Sequence, residues 1–314
     1  MAKFLVTGGG GFIGSAITRA LLGRGDAVVV LDDFSTGKKK NLESLHGTLE
    51  VIVGDVCDER AVRRAVKGCE GVFHQAAMVS VVQSVSDPVR CNAVNIDGTV
   101  RVLEAARSEG VRSMVLASSA AVYGDSPELP KHESMTPEPK SPYAIAKLAA
   151  EHYLRTAALD TGLRTLSLRY FNIFGPRQDP DGPYASAIPK ILSALLRGER
   201  ATIFGDGLQT RDFCFIDDVV SANLRAIELP NARGQAINIA SGKSTTILEL
   251  VKQLGEIVGI TPNPAHAPKR PGDIQDSSAD ITVARTMLGY APSLAFARDL
   301  RRTVAYFRGE SPSC

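Results

Sequence analysis

The sequence predicts an α/β fold: a doubly wound parallel sheet followed by a smaller C-terminal α/β lobe. Three observations carry that prediction. Short apolar runs of strand length alternate with helical stretches through the first half. A glycine-rich turn joins the first run to the first helix. After Asn172 the elements shorten and loops multiply. Short apolar strands separated by helices are buried on both faces, as parallel sheets require, and their crossovers are right-handed.

The elements follow in order. Phe4-Leu5-Val6 reads as the first strand, and the helical pattern of residues 12–22 follows it. Ala27-Val28-Val29-Val30-Leu31 and Leu49-Glu50-Val51-Ile52-Val53 read as the second and third strands. Gly71-Val72-Phe73-His74 and Ser113-Met114-Val115-Leu116-Ala117 read as the fourth and fifth. A helix is expected from Asn95, because Ile96, Val100 and Leu103 recur at helical spacing and Gly110 stands where a C-terminal cap belongs. The stretch from Tyr123 to Pro142 holds Pro127, Pro130, Pro137 and Pro139 and reads as a long loop, a type often tied to function. Ser141 then suits an N-cap and Pro142 the first position of a helix. The expected division is a nucleotide-binding domain over 1–172, rejoined by part of 212–240, and a substrate lobe over 173–314.

Composition narrows the function classes. The chain has 314 residues, 44% apolar and 22% charged, with a net charge of +2. These values exclude disorder and collagen-like repeats. The near-neutral balance gives no reason to expect nucleic acid or an anionic membrane as partner. No run approaches the ~20 apolar residues that span a bilayer. The N-terminus reaches glycines too soon for a signal peptide. Cys57, Cys69, Cys91, Cys214 and Cys314 are scattered and odd in number, which fits reduced thiols in a cytoplasmic enzyme. The histidines do not cluster, so no metal site is expected. Aromatics are 6% and Trp is absent, so any aromatic platform must use Tyr and Phe.

The glycine turn carries the first chemistry. Gly8, Gly11 and Gly14 have GxxGxxG spacing at a strand–helix junction. Gly8 permits the tight turn, Gly11 lets backbone approach a pyrophosphate, and Gly14 allows close helix–strand packing. Read alone, the glycines make only a tight turn. With Asp32 at the end of the second strand they make a Rossmann dinucleotide site, the carboxylate accepting from an adenosine ribose. A carboxylate repels a 2′-phosphate, so NAD is favoured over NADP. Lys38-Lys39-Lys40 is the counter-indication, read here as the basic start of a solvated helix. Asp55 and Val56, after the third strand, are placed to meet the adenine. Gln75, Ala76 and Ala77, after the fourth, lie where backbone passes close to the cofactor.

Tyr143 and Lys147 carry the second chemistry. Their i, i+4 spacing puts both on one helix face. A free Tyr has a pKa of about 10. The Lys147 ammonium and a positive nicotinamide are expected to lower it, making Tyr143 a general base near neutral pH. Lys147 is also placed to hydrogen-bond the nicotinamide ribose. Ser118-Ser119-Ala120-Ala121-Val122-Tyr123 ends the fifth strand on the ligand side of such a sheet. The bland alternative is an ordinary amphipathic helix.

Taken together, these pieces resemble an extended short-chain dehydrogenase/reductase of the nucleotide-sugar 4-epimerase group. Further matches are Leu31-Asp32-Asp33-Phe34-Ser35-Thr36-Gly37, Ser141-Pro142-Tyr143 and Leu168-Arg169-Tyr170-Phe171-Asn172, with Arg211-Asp212-Phe213 and Arg270-Pro271-Gly272-Asp273. The resemblance implies a catalytic set of Ser119, Tyr143 and Lys147. It extends the NAD surface to Phe12, Ile13, Asp33, Ser35, Thr36, Gly37, Asn95, Tyr170 and Phe171. On the UDP-sugar side it implies Ser80, Asn172, Ala187, Ile188, Arg211, Arg270, Asp273 and Ser277. Guanidinium forks suit a pyrophosphate, which agrees for the two arginines.

The group begins by oxidising C4 of the sugar. Its dehydratases and decarboxylases resemble one another in carrying an acid just after the catalytic Ser/Thr; here those positions are Ala120 and Ala121. Re-reduction with non-stereospecific hydride return, hence 4-epimerisation, is the expected outcome. The position that gates C2 substituents in the family is Ser277, small enough to admit an N-acetyl group. The stretches 76–81 and 177–185 also resemble the UDP-GlcNAc branch, whereas Val82-Gln83 departs from its Pro-Arg. The expectation is UDP-GlcNAc/UDP-GalNAc interconversion together with UDP-Glc/UDP-Gal. A UDP-glucose-only or UDP-glucuronate 4-epimerase is the alternative. A sensor that binds NAD without turnover is a different class, opposed by the intact Ser119, Tyr143 and Lys147. A homodimer is expected through the helices beginning at Asn95 and Pro142.

Overall fold

The computed structural model describes residues 1–180, 186–269 and 274–310. In the first half, β1 (Lys3–Thr7), α1 (Phe12–Gly23), β2 (Ala27–Asp32), α2 (Lys40–Glu43), β3 (Leu49–Val53), α3 (Glu59–Val66) and β4 (Gly71–His74) alternate. α4 (Val81–Ser86), α5 (Pro88–Asn92), a π-helical turn (Ala93–Asp97) and α6 (Gly98–Ser108) lead to β5 (Ser113–Ser119). A 3₁₀ turn (Ala120–Tyr123), a long loop, α7 (Pro142–Thr161) and β6 (Arg164–Tyr170) complete it. Then come β7 (Ile173–Phe174), α8 (Ala187–Leu196), β8 (Thr202–Phe204), β9 (Thr210–Asp212), β10 (Cys214–Phe215), α9 (Ile216–Glu228) and β11 (Gln235–Ile239). β12 (Ser244–Thr246), α10 (Ile247–Val258), β13 (Ala265–Ala267), α11 (Thr282–Leu288) and α12 (Phe296–Phe307) close the described chain.

Seven strands form one parallel sheet in the order β3-β2-β1-β4-β5-β6-β11. Alternate residues of the apolar runs feed two different cores. Phe4, Val6, Val28, Val30 and Phe73 pack with Ile17 and Leu21 of α1 and Val219 and Ala222 of α9. Leu5, Val29, Leu31 and Val72 pack with Val62 of α3, Val102 and Leu103 of α6, and Ala150 and Leu154 of α7. That double burial is why the strands read as unbroken apolar runs. A third core lies in the second half, where Phe174 packs against Phe213, Phe215 and Phe296 at ring separations of 5.3–6.3 Å.

Two features place the site. The sheet order reverses between β1 and β4, so a crevice opens at their carboxyl ends. Ser141 caps α7 through its hydroxyl, accepting from Ala144 N at 3.2 Å, with Pro142 in the first turn. This aims the first turn of α7 at the end of β5. The helix expected from Asn95 starts earlier, at Pro88, and passes through the π-helical turn that holds Asn95. Such turns often mark functional positions.

Candidate active site

The glycine turn fits a dinucleotide. Gly8 has φ +67°, and a Cβ there would lie 2.7 Å from Ala76 N. A Cβ on Gly14 would lie 2.1 Å from Gly8 O. Gly11 precedes α1 without any side-chain cap, so the first N–H groups of α1, from Phe12 and Ile13, are left for an anion. Asp32 is buried and braces the turn, accepting from Gly10 N at 2.8 Å and Phe34 N at 2.7 Å. Each carboxylate oxygen keeps a further lone pair for a ribose hydroxyl. Burial raises its pKa, while the Phe34 and Gly10 N–H groups pull it back. Asp33 accepts from Ser35 N and Oγ, shaping the exposed turn over Ser35, Thr36 and Gly37.

The lysine run is a helix start, with Lys40 opening α2. Lys38 pairs with Asp179 at 2.8 Å, and Lys39 lies over the Phe34 ring. Neither is held ready for a 2′-phosphate. Asp55 is bound by Arg90 at 2.6 Å, and Val56 is buried against Gly98. Asn95 clamps the segment after Ala76-Ala77, accepting from Met78 N at 2.8 Å and donating to Met78 O at 3.0 Å. Gln75 and Asn223 donate to the Tyr170 hydroxyl at 3.3 and 2.8 Å.

At the reacting end, Ser119 Oγ caps the 3₁₀ turn by accepting from Ala121 N and hydrogen-bonds the Tyr143 phenol. Tyr143 N donates to Ser84 Oγ at 3.1 Å. Lys147 is buried and donates to Ala117 O at 2.8 Å; its Nζ is 5.9 Å from the Tyr143 ring centre. The expected lowering of the Tyr143 pKa by Lys147 is not met within the chain. Burial raises Tyr143, the Ser119 hydrogen bond lowers it, and Cys91 raises it again. The physical reason is that the ammonium faces the strand carbonyl. Lys147 itself is pushed down to about 8 by burial, against the pull of Cys91 and Glu151.

On the substrate side the structure brings together Asn172, Arg211 and Ser277. Asn172 Nδ2 lies 3.5 Å from Ser277 Oγ and 3.3 Å from Asp212 O. Arg211 Nη1 donates to Thr210 O at 2.7 Å. Three further residues of the expected set also serve the fold. The Ser80 hydroxyl is the N-cap of α4, accepting from Gln83 N. The Ile188 side chain lies in the third core, so its backbone is what it offers a ligand. The Phe171 ring is buried beside Tyr123, 6.4 Å between centres. Ala187, partly buried, opens α8. Arg270, Asp273 and Cys314 lie outside the described residues. Sequence reasoning missed Ser84 and Asn223, whose partners are far along the chain and which no motif marks.

The chain matches the NAD dependent epimerase/dehydratase family over residues 4–240 and belongs to it. It is 42% identical to a UDP-glucose 4-epimerase of Mycolicibacterium smegmatis, covering 98% of this chain and 99% of that protein. It is similar to the UDP-N-acetylglucosamine 4-epimerase from Methanobrevibacter ruminantium M1 in complex with UDP-N-acetylmuramic acid, with TM-score 0.94 and 39% identity over 98% of both chains. The Thermotoga maritima UDP-glucose 4-epimerase with UDP-glucose superposes with TM-score 0.92 and 39% identity, covering 98% of this chain and 99% of that one. The chain is thus an isomerase, a UDP-sugar 4-epimerase that uses NAD. Among the described residues no helix is long and apolar enough to cross a membrane.

Proposed function

We propose that this epimerase interconverts UDP-GlcNAc and UDP-GalNAc, and also UDP-Glc and UDP-Gal. The observation that carries this is Ser277. It is small, partly buried and within 3.5 Å of Asn172 at the mouth of the site, where a bulky side chain would meet a C2 substituent. The fit to NAD rests on a glycine cradle that a Cβ would fill and on the N-terminus of α1, which no side chain caps. Gly8, Gly11, Gly14, Asp32, Asn95 and Lys147 would hold the cofactor. When bound, NAD supplies the reversible hydride acceptor and a positive nicotinamide that lowers the Tyr143 pKa.

The chain's own groups do the rest. Tyr143 takes the C4 hydroxyl proton and returns it to either configuration. Ser119 orients the phenol and the C4 oxygen. Arg211, with Arg270, neutralises the diphosphate, and Asn172 holds the same region. Ala120 and Ala121 offer no acid for elimination or decarboxylation. The decisive assay sets four UDP-sugars side by side with the wild type and Ser277→Tyr. N-acetyl turnover should fall by about two orders of magnitude, a methylene-scale change being worth only ~10–200-fold, while UDP-Glc and UDP-Gal persist. Equal loss on all four sugars refutes the gating role.

We also propose a cytoplasmic homodimer. Ile145 and Tyr153 on α7, and Val82, Val85 and Val89 on the neighbouring α4–α5 segment, are exposed apolar side chains. The α4–α5 segment packs against α7, and exposed apolar side chains gathered on neighbouring helices suit a partner surface. Light scattering should give a dimer for the wild type and a monomer for Ile145→Glu/Tyr153→Glu; a monomeric wild type refutes it.

A further inference from the structure

Behind the reacting groups lies a buried ionic network whose carboxylate, Glu151, no sequence motif includes. Glu151 stands one helical turn beyond Lys147 on α7, and Arg169 stands on β6. Arg169 grips the carboxylate with both arms, Nε to Oε1 at 2.9 Å and Nη2 to Oε2 at 2.7 Å. Their side chains are 5% and 7% exposed. The same Oε1 accepts from the Ser118 hydroxyl. Ser118 sits between Ala117, whose carbonyl receives the Lys147 ammonium, and Ser119, which hydrogen-bonds Tyr143.

The third arm of Arg169 reaches forward. Nη1 donates to the Tyr123 hydroxyl at 2.9 Å, and the guanidinium lies over the Tyr123 ring at 4.8 Å. Tyr123 ends the 3₁₀ turn that Ser119 caps, and its hydroxyl donates to Asn238 Oδ1 at 2.7 Å on β11. One ion pair therefore pins both ends of the segment that presents a carbonyl to Lys147 and a hydroxyl to Tyr143.

We propose that the Glu151–Arg169 pair is a positioning device for epimerisation: it fixes the end of β5 through Ser118 and Tyr123. It rests on the assignment of Ser119, Tyr143 and Lys147 as the reacting set.

Three variants test this in the full-length protein with NAD. Glu151→Gln keeps a hydrogen-bonding group at Ser118 but weakens the Arg169 clamp; kcat should fall about fivefold with the sugar KM within about twofold. The apolar double variant Glu151→Leu/Arg169→Met removes the pair without stranding a buried charge, a replacement that buried pairs often tolerate. It should melt as a folded protein and lose kcat by about tenfold, again with the sugar KM within about twofold. Ser118→Ala leaves the ion pair whole and cuts only its tie to β5; kcat should fall about fivefold with the sugar KM unmoved, the loss of one buried hydrogen bond.

Folded Glu151 variants with wild-type kcat overturn the positioning role. Unchanged kcat in Ser118→Ala overturns the positioning role, and decides the matter if the Glu151 variants do not fold. Absence of turnover by the wild type on every UDP-sugar would sink the functional reading instead, so the two failures stay separate.

Discussion

Replacing Tyr143 with phenylalanine should lower kcat on the order of 10³-fold while leaving the melting temperature unchanged. The substitution deletes one oxygen and keeps the ring between α7 and β5. What is lost is the atom that takes and returns the C4 proton. The sugar KM should move little, because the hydroxyl binds the reacting oxygen rather than the diphosphate. The measurement is conversion of UDP-sugar at saturation, coupled to a hexose-specific readout. A variant with more than a tenth of wild-type kcat would remove Tyr143 from the mechanism. The raised pKa of Tyr143 adds a second expectation. Since the chain's own groups favour the protonated phenol, turnover of the wild type should climb with pH on the acid side and level off once the pH passes the pKa that the phenol has with NAD bound.

Gly14→Ala should weaken NAD binding by about 10–100-fold, equivalent to ~1.4–2.7 kcal/mol and within the usual cost of overpacking. The new methyl would lie 2.1 Å from Gly8 O and 2.9 Å from Gly9 Cα, both backbone atoms with nowhere to go. The turn has to open, and the pyrophosphate loses its aligned N–H groups. Gly23→Ala is the control on the same helix, since nothing lies within 4 Å of a Cβ there. It should bind NAD as the wild type does and melt slightly higher, alanine being the better helix former. Titration of the two apoproteins with NAD by calorimetry separates these outcomes; equal affinities would mean that the turn does not carry the pyrophosphate.

Much of this was legible before any coordinates. β1, β2, β4 and β5 announce themselves because they are buried on both faces, so their apolar runs are unbroken; β3, at the sheet edge, is read from its Val and Ile content. The glycine turn, Asp32, Tyr143 and Lys147 announce themselves because local geometry fixes their spacing. What stayed hidden falls into two kinds. β7, β9, β10, β12 and β13 have two or three residues each, too few for any period to show. Ser84, Asn223, Glu151 and Arg169 act on partners that only the tertiary fold brings near: Asn223 meets Gln75 across 148 positions, and Arg169 meets Tyr123 across 46. Glu151 lies four residues past Lys147, in plain view, yet an acid on a helix is ordinary until Arg169 and Ser118 are seen to close on it. The spacing puts Tyr143 and Lys147 on one helix face, but the sequence does not show that a strand carbonyl claims the ammonium.

β11 pairs in parallel with β6, Gln235 opposite Leu166 and Ile239 opposite Tyr170. This has a consequence for how the molecule is made. A ribosome that has delivered only the first 172 residues has delivered an unfinished sheet, with β6 as a bare edge ready to recruit another chain. The strand that seals it lies beyond α8 and α9, in the stretch we assign mostly to the sugar. The cofactor half thus reaches its final form only after much of the substrate half has been synthesised. Distant pairing of this sort slows folding and prolongs exposure of the edge. The boundary expected at 172 from the sequence is therefore no place to cut the gene.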